Sequence, residues 1–547
     1  MKVESSRRWD AECTLVGQIA AGVSLLTLLV FLQRGDLLLY GDAVAHINIA
    51  RRVFDSRTPG LLQLGTVWLP LPHLLIFPFV LSDSAWRSGI AGAIPSMVAY
   101  VLGTIGIFRL VRGALSVGRR PDSFTRIAAW SAAALYAANP NLMYMQTAAM
   151  TEPLYLAWSI WAVVHFSEFV QQVKTASTVG AGKSLAKCGA CLVGACLTRY
   201  DGWFLAATIS LACTIVVAGS AQKYALRRIW AKFLLIAVAA PAVWLAYNRL
   251  VYGDPFEFSR GPYSAKAIEE RIALSRTAPY PGWHDPKVAF SYFFKAAEQI
   301  VAEGHWQKLW VALLLVGILA VVVRNRERWP VFLLLSPIPF YVLSISYGSV
   351  PVCLSEWWPF SYYNVRFGSE LLPAFVVLAC MALHWVLSVA KSSSARTATG
   401  FALLLVVAGS YASVWRAQPV CFREAWVNSR SRIALETELA RNLQLLPHDS
   451  TILMYLGDHV GALQDAGIPL RRTINEGDHR PWKRPDDPEG LWERALANPK
   501  LYADYAVAIG EDPVARKVSK QDLVSMVVIH TLGQPPATIY WTHRTRR

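Results

Sequence analysis

Long apolar runs recur along this chain, and they constrain its fold more than any other feature. Each run is about 20 residues long, which is the length of helix that crosses roughly 30 Å of hydrocarbon. Because a lipid-embedded backbone must satisfy its own hydrogen bonds, these runs predict helices rather than open strands. About eleven membrane spans are predicted, at residues 13–33, 89–111, 127–146, 150–170, 185–199, 202–220, 233–251, 307–323, 329–347, 367–390 and 398–415.

The composition agrees with a membrane protein and excludes several other classes. Hydrophobic residues make up 54% of the chain and charged residues 16%, whereas an ordinary soluble domain has about 25% charged residues. A disordered protein, a coiled coil, a disulfide scaffold and a typical soluble enzyme are therefore excluded. The 21 tryptophans and 21 tyrosines are expected in aromatic belts at the two membrane interfaces.

The segment 68–82 is shorter and carries three prolines, so we interpret it as an interfacial or re-entrant helix that does not cross. With that interpretation every short basic loop falls on one side, as the positive-inside rule requires. These loops hold Arg7/Arg8, Arg109/Arg112/Arg119/Arg120/Arg126, Lys174/Lys183/Lys187, Lys223/Arg227/Arg228/Lys232, Arg324/Arg326/Arg328 and Lys391/Arg396. They account for most of the formal net charge of +16, so nucleic-acid binding is not needed to explain it.

The predicted topology places the N-terminus in the cytoplasm and the C-terminus outside. Residues 1–415 form a transmembrane domain with long outer loops at 34–88, 252–306 and 348–366. Residues 416–547 form a separate extracytoplasmic α/β domain. Its predicted elements are a helix at 432–446 and strands at 451–456, 505–509 and 525–530.

A charged side chain near membrane depth costs free energy, so one that persists at the end of a span suggests a function. Charged residues occur at four span ends on the predicted outer face. The first follows the first span, where Asp42 and His46 share one face of a short helix because they are four residues apart. Asp42 either caps this helix or acts as an acid or base. The second is Glu152, which follows Thr151 and is expected in the first turn of a helix. Glu152 either complements the helix dipole, with Thr151 as the cap, or contributes to a site.

The other two places carry arginines. Arg199 and Asp201 interrupt two apolar runs, and they either pair with each other or leave Arg199 available to grip a phosphate. Arg366 follows an aromatic cluster that includes Tyr362 and Tyr363. The aromatic residues are typical of a belt at the membrane interface. A belt explains Arg366 less well, because the short basic loops are predicted on the opposite side of the membrane. Two carboxylates and two arginines on one leaflet suit a reaction at a lipid-linked phosphate.

The eight cysteines are scattered. Cys188, Cys191 and Cys196 lie in one predicted span, where small apolar packing residues are a better interpretation than a metal or redox motif. Cys353 and Cys421 both lie on the predicted outer side, and the sequence leaves open whether they pair.

Six motifs occur in order along the chain: GDAVAHINIARRV, WLPLPHLL, MTEPLYL, TRYDG, YGDPF and VRFGSELLPAF. In this order they resemble the GT-C superfamily of integral membrane glycosyltransferases, which includes the protein O-mannosyltransferases and the aminoarabinose transferase of lipid A. The tail segment LPHDSTILMYLGDHVGALQDAGIPL resembles the outer C-terminal domain of bacterial members.

The resemblance implies an inverting glycosyltransferase that uses a polyprenyl-phosphate-sugar donor on the extracytoplasmic face of the plasma (inner) membrane. It implies two catalytic residues, Asp42 as the general base and Glu152 to help position the acceptor or donor, and it implies Arg199 and Arg366 as the donor-phosphate contacts. The substrate-binding candidates are His46, Asp201, Tyr362 and Tyr363. The acceptor is a hydroxyl of a lipid, glycan or protein. We expect no cofactor, and no obligatory metal because Asp42 is followed by Ala43 rather than a second carboxylate.

Two other classes remain open on the sequence alone. One is a transporter or flippase of lipid-linked sugars, although such proteins often show inverted repeats, which we do not find in this sequence. The other is a non-catalytic membrane scaffold whose tail binds partners.

The predicted topology can be tested with reporter enzymes fused after residue 430. A reporter that is active only outside the cytoplasm should be active when it is fused at this point, because an odd number of spans places this part of the chain on the outer side of the membrane. A cytoplasmic signal from this fusion would contradict the predicted topology.

Overall fold

The structure, a computed structural model, describes residues 10–116, 121–273, 278–324, 326–389, 392–478, 489–518, 521 and 523–543. Eight helical segments in this part of the chain are long and apolar enough to cross a membrane. They are Ala11–Arg34, Ile90–Leu115, Asp201–Ala218, Lys223–Tyr252, Trp306–Val323, Glu327–Tyr347, Val365–Val389 and Gly400–Gln444. The chain is therefore a multi-pass membrane protein, as its sequence predicts.

Three of these segments join two helices end to end. They are Arg326–Leu335 with Pro337–Tyr347, Val365–Leu371 with Leu372–Val389, and Ser393–Ala417 with Val420–Gln444, where the first element of the first two pairs is a 3-10 helix. The other α-helices are Gly41–Arg52, Leu71–Ile76, Asp83–Ser88, Ser123–Ala137, Pro140–Met145, Thr151–Lys174, Thr178–Thr198, Glu257–Arg260, Ala265–Ala273, Pro286–Val301, Gly461–Ala466, Leu491–Ala497, Pro499–Tyr502 and Pro513–Val518. Short 3-10 helices are Asp36–Leu38, Leu61–Leu64 and Leu470–Arg472.

The predicted count of eleven spans is not confirmed. The predicted spans 150–170 and 185–199 are helices, Thr151–Lys174 and Thr178–Thr198, of 24 and 21 residues, but they fall outside the eight. The predicted span 127–146 is broken at Asn139, whose side chain accepts a hydrogen bond from the Leu142 N–H and so caps a new helix.

The segment 68–82 contains only a short helix, Leu71–Ile76, of six residues. At a rise of about 1.5 Å per residue it is roughly 9 Å long, too short to cross a bilayer. The interpretation of this segment as a non-crossing element agrees with that length, and its place at the interface stays a prediction.

The described chain forms two compact units. The first unit comprises Met1–Phe31, Ser96–Val243 and Ala265–Glu424, and the second comprises Leu32–Pro95, Trp244–Ser264 and Ala425–Arg547. The second unit therefore combines the C-terminal tail with the segment that follows the first span, a combination that the predicted boundary at residue 416 did not include.

Glycines allow close helix packing in the first unit. A Cβ atom at Gly194 would lie 2.5 Å from the ring of Trp158, which joins helices Thr178–Thr198 and Thr151–Lys174. A Cβ atom at Gly317 would collide with the carbonyl oxygen of Leu378 on the neighbouring helix. Because small residues let backbones approach in membrane proteins, these two positions set the spacing of their helix pairs.

Arginines near the ends of helices in the first unit are paired rather than solvated. Nη1 of Arg112, whose side chain is 2% exposed, lies 2.7 Å from Asp10 Oδ2 and 3.3 Å from Glu12 Oε2. Nη2 of Arg109 lies 2.6 Å from Glu168 Oε1. These two basic residues, which the sequence assigned to a cytoplasmic loop, also cross-link helices of the unit.

The second unit contains a five-stranded sheet in the order β2-β1-β3-β5-β4. Its strands are β1 (Ile452–Met454), β2 (Thr473–Ile474), β3 (Tyr505–Ile509), β4 (Val524–Ile529) and β5 (Ala537–Trp541). Strands β1, β2 and β3 are parallel, and β5 runs antiparallel to β3 and β4. The three strands predicted from the sequence are confirmed as β1, β3 and β4.

Buried polar groups attach the tail to the rest of the second unit. Asp55 is fully buried and accepts hydrogen bonds from the backbone N–H groups of Leu470 and Arg471, at 3.2 Å each. Asn48 donates to Gln464 Oε1 (2.7 Å) and accepts from the indole N–H of Trp86 (3.0 Å). These bonds satisfy buried groups that would otherwise destabilise the unit.

We expect Gly317→Ala to destabilise the protein by about 1–3 kcal/mol, because the added methyl group must displace a backbone carbonyl. The measurement is the melting temperature in detergent, followed by tryptophan fluorescence. Gly22→Ala is the control, since a Cβ atom there meets nothing within 4 Å. Equal melting temperatures for the two variants would contradict the packing argument.

Candidate functional site

Arg199 lies between two helices of the first unit. Helix Thr178–Thr198 ends directly before it, and helix Asp201–Ala218 begins two residues later. A Cβ atom at Gly202 would collide with the Ala195 carbonyl oxygen, so the missing side chain permits this tight junction. The turn thus holds an arginine side chain at the ends of two apolar helices.

Arg199 makes contacts through all three of its guanidinium nitrogens. Nη1 donates to Thr151 Oγ1 (2.8 Å) and Glu152 Oε1 (3.1 Å). Nε lies 3.1 Å from both Asp201 Oδ2 and Glu370 Oε1. Of the two alternatives left by the sequence, the pairing of Arg199 with Asp201 is present, alongside pairs with two further carboxylates, and phosphate binding by Arg199 stays a prediction.

Tyr341 completes the shell around Arg199. Its hydroxyl accepts a hydrogen bond from Arg199 Nη2 (2.8 Å). The same hydroxyl lies 2.7 Å from Glu370 Oε1 and 3.2 Å from Asp201 Oδ2, and its proton is available to these carboxyl groups. The ring stacks on Phe293 with centroids 4.6 Å apart and planes at 18°, which fixes the direction of the hydroxyl.

Arg366 lies in the 3-10 helix Val365–Leu371 and reaches the same cluster. Its Nε donates to Glu152 Oε1 (3.2 Å), the oxygen that also accepts from Arg199. Its Nη1 and its backbone N–H both donate to Glu424, at 3.3 and 3.1 Å. Glu152 therefore bridges the two arginines.

Both guanidinium groups lie near one aromatic ring. The Cζ atoms of Arg199 and Arg366 lie 5.0 and 5.1 Å from the centroid of the Phe367 ring. A cation near an aromatic face is attracted by its quadrupole, so Phe367 holds both positive groups near one another.

The cluster contains four carboxyl groups and two guanidinium groups. The side chains of Glu152, Asp201, Glu370 and Glu424 are at most 2% exposed, whereas those of Arg199 and Arg366 are 15% and 11% exposed. The arginines are thus the more accessible members. Removing one partner of a buried ion pair is destabilising, because it leaves the other charge without compensation.

The structure brings together four of the predicted site residues, namely Glu152, Arg199, Asp201 and Arg366. Three further members were missed by the sequence argument: Tyr341, Glu370 and Glu424. Glu370 carried a detectable signal, because it is a carboxylate inside the predicted span 367–390. Glu424 lay in the tail assigned to a separate domain, so no sequence pattern linked it to Arg366.

The two tyrosines of the aromatic cluster lie in the first unit but make other contacts. The hydroxyl of Tyr362 accepts from Arg423 Nη1 (3.1 Å). The backbone of Tyr363 pairs with that of Cys353, and its side chain is exposed. Cys353 and Cys421 are both buried, and no disulfide joins them.

Asp42 and His46 belong to the second unit. The N-cap of helix Gly41–Arg52 is Tyr40, so Asp42 lies in the first turn and the capping interpretation is wrong. His46 is buried, and its Nδ1 lies 2.9 Å from Nε2 of His73. Burial and the neighbouring His46 and Arg52 hold the pKa of His73 well below its usual value, so this ring stays neutral at physiological pH.

Helix Thr151–Lys174 likewise has a different cap from the one expected. Its N-cap is Met150, and Thr151 Oγ1 accepts from Arg199 instead. In helix Thr178–Thr198, Cys188 and Cys196 are buried, Cys191 is partly buried, and none of the three forms a disulfide, in agreement with packing residues. Within the described ranges, no group of three or more His, Cys, Asp or Glu side chains is arranged to hold a metal ion.

Comparison with known proteins identifies the fold. No protein-family model matches the sequence, and no curated protein matches it. Crystal structures of ArnT from Cupriavidus metallidurans are similar over 95% of this chain and 97% of theirs, at 13% identity. The TM-score is 0.56 for the form bound to undecaprenyl phosphate and 0.55 for the apo form. A looser match is the oligosaccharyltransferase of Archaeoglobus fulgidus in its apo form, with a TM-score of 0.46 and 13% identity over 91% of this chain and 69% of that one. The chain therefore has the GT-C fold that its motifs indicate.

We expect Tyr341→Phe to lower the free energy of unfolding by about 1–3 kcal/mol, because it leaves buried charged groups short of a hydrogen-bond partner. Tyr136→Phe is a matched control, since the Tyr136 hydroxyl is equally buried and has no hydrogen-bond partner among the described residues. The melting temperatures of both variants are measured in the same detergent. Similar shifts would show that the Tyr341 hydroxyl does not stabilise the cluster.

Proposed function

We propose that this protein is a membrane glycosyltransferase that moves a sugar from a polyprenyl-phosphate donor to an acceptor hydroxyl. The observation that carries the proposal is the fold similarity to ArnT bound to undecaprenyl phosphate, which extends over 95% of the chain. The paired arginines in the first unit supply the chemistry that such a donor needs. The acceptor is a lipid, a glycan or a protein.

The donor phosphate is the proposed ligand of Arg199 and Arg366. During transfer, the bond between the anomeric carbon and the phosphate oxygen breaks, and negative charge grows on that oxygen. Guanidinium groups stabilise such charge by forked hydrogen bonds, and they do so most strongly where water is scarce. Asp201 would contribute indirectly, since it orients Arg199 through Nε.

Asp42 is the proposed general base. It takes the proton of the acceptor hydroxyl while the hydroxyl oxygen attacks the anomeric carbon, and the lipid phosphate leaves from the opposite face. A single displacement of this kind inverts the anomeric centre. Asp42 is half-buried in the first turn of its helix. His46, Tyr362 and Tyr363 are proposed to contact the substrates.

The reaction is proposed to take place on the extracytoplasmic face of the plasma (inner) membrane, with the N-terminus in the cytoplasm and the C-terminal domain outside. The distribution of basic loops in the sequence supports this orientation. The proposed chemistry uses no cofactor and no obligatory metal, because Asp42 is followed by Ala43 and not by a second carboxylate ligand.

The experiment that tests this function compares cells with and without the chain. Mass spectrometry of their glycolipids and glycoproteins should show one sugar modification that disappears when the gene is deleted and returns on complementation. Identical profiles in all three strains would contradict a glycosyltransferase activity.

We expect Asp42→Asn to lower sugar transfer by at least about 100-fold, since a positioned general base contributes roughly 10²–10⁴-fold. Protein level and melting temperature should stay near those of the wild type, because the side chain keeps its shape. Asp465→Asn, an exposed carboxylate of the same unit, is the control. Near-normal transfer by Asp42→Asn would remove Asp42 from the proposed mechanism.

A further inference from the structure

Glu152 is held by two arginines within the cluster of the first unit. Both of its hydrogen bonds pass through one oxygen, Oε1, which accepts from Arg199 Nη1 (3.1 Å) and Arg366 Nε (3.2 Å). The other oxygen, Oε2, is buried and has no hydrogen-bond partner in the described part of the chain. Two guanidinium groups alone therefore keep this carboxylate in place.

The other three carboxyl groups have additional anchors. Asp201 accepts from the Gly202 backbone N–H (3.0 Å), and Glu370 lies 2.7 Å from the Tyr341 hydroxyl. Glu424 uses both of its oxygens, one for the guanidinium and one for the backbone N–H of Arg366. Releasing Glu152 would therefore break fewer kinds of contact than releasing any of the others.

The position of Oε1 has the chemistry of a phosphate-oxygen site. A single anionic oxygen is shared by two guanidinium groups, which are the side chains best suited to phosphate oxygens. Glu152 also lies in the first turn of the 24-residue helix Thr151–Lys174, where the helix dipole favours negative charge. The N-cap residue, Met150, makes no side-chain hydrogen bond to this end of the helix, so no capping side chain compensates the helix dipole there.

We propose that Glu152 is a resident anion that occupies the place of a donor-phosphate oxygen and leaves it when the lipid-linked phosphate binds. This inference rests on the proposed function and assigns Glu152 a positioning role instead of proton transfer. When the site is empty, the carboxylate keeps both arginines paired, which avoids buried uncompensated charge. When the donor arrives, its phosphate takes over the contacts of Oε1.

This role makes Glu152 a determinant of affinity and of product release. A ligand must bind the two arginines better than the tethered carboxylate does, so weak anions are rejected. After transfer, the returning carboxylate competes with the remaining lipid phosphate and promotes its departure. Glu152 thus weakens phosphate binding while it supports turnover.

The test is Glu152→Gln, which keeps the size of the side chain and removes its charge. Binding of undecaprenyl phosphate to the full chain in lipid nanodiscs should become at least about tenfold tighter, because a charge competing for two guanidinium groups is lost. The kcat for sugar transfer should fall as product release slows. Equal or weaker binding by the variant would overturn the proposal.

The matched control is Glu424→Gln, which makes the same side-chain change in the same cluster. Glu424 contacts Arg366 but does not bridge the two arginines, so its removal should tighten lipid-phosphate binding by less than about threefold. An equal gain in the two variants would show that general charge, and not occupancy of one place, limits binding, and would overturn the proposal.

Two further arms keep the inference separate from the proposed function. Glu152→Asp retains the charge but is one methylene shorter, so it should also tighten binding, and unchanged binding by this variant would contradict the proposal even if Glu152→Gln does not fold. Inorganic phosphate is titrated in parallel, and a gain confined to inorganic phosphate would contradict a lipid-linked ligand. If neither the wild type nor any variant binds undecaprenyl phosphate, the result would instead contradict the proposed function.

Discussion

The permanent charge of Arg199 inside an apolar helical body is the constraint on which the candidate site depends. A guanidinium group cannot lose its proton at physiological pH, so nearby acidic and polar groups must compensate its charge. These groups come from separate stretches of the sequence, namely Glu152, Asp201, Tyr341 and Glu370. Removing one partner from such a buried pair typically costs about 3–5 kcal/mol. The same interactions that stabilise the first unit therefore also hold the side chains of the candidate site in place.

Arg366 extends this arrangement and makes it suitable for binding. Because Glu152 pairs with both arginines and both guanidinium groups lie near the Phe367 ring, two positive groups are held close together despite their mutual repulsion. The carboxylates are almost completely buried and the guanidinium groups are partly accessible. An anionic ligand that approaches the cluster would consequently meet positive charge first.

Sequence reasoning identified four of the six charged members of the site, and missed Glu370 and Glu424, because it relied on charge at the end of an apolar run, which is costly and rarely accidental. Arg199, Asp201, Glu152 and Arg366 were found in this way. Tyr341 was missed because a tyrosine in an apolar helix is ordinary at an interface. The contact of Glu424 with Arg366 depends on how distant segments meet, which periodicity and composition do not encode. The strands β2 and β5 escaped prediction because β2 has only two residues and β5 follows a pair of prolines.

The pairing of Arg112 with Asp10 and Glu12 has a consequence for how the protein is made. The two acidic residues emerge from the ribosome about one hundred residues before their partner does. Until helix Ile90–Leu115 has been synthesised, Asp10 and Glu12 lack Arg112 as a partner. The ionic cross-link between the first helix and helix Ile90–Leu115 can therefore form only after both helices have been made.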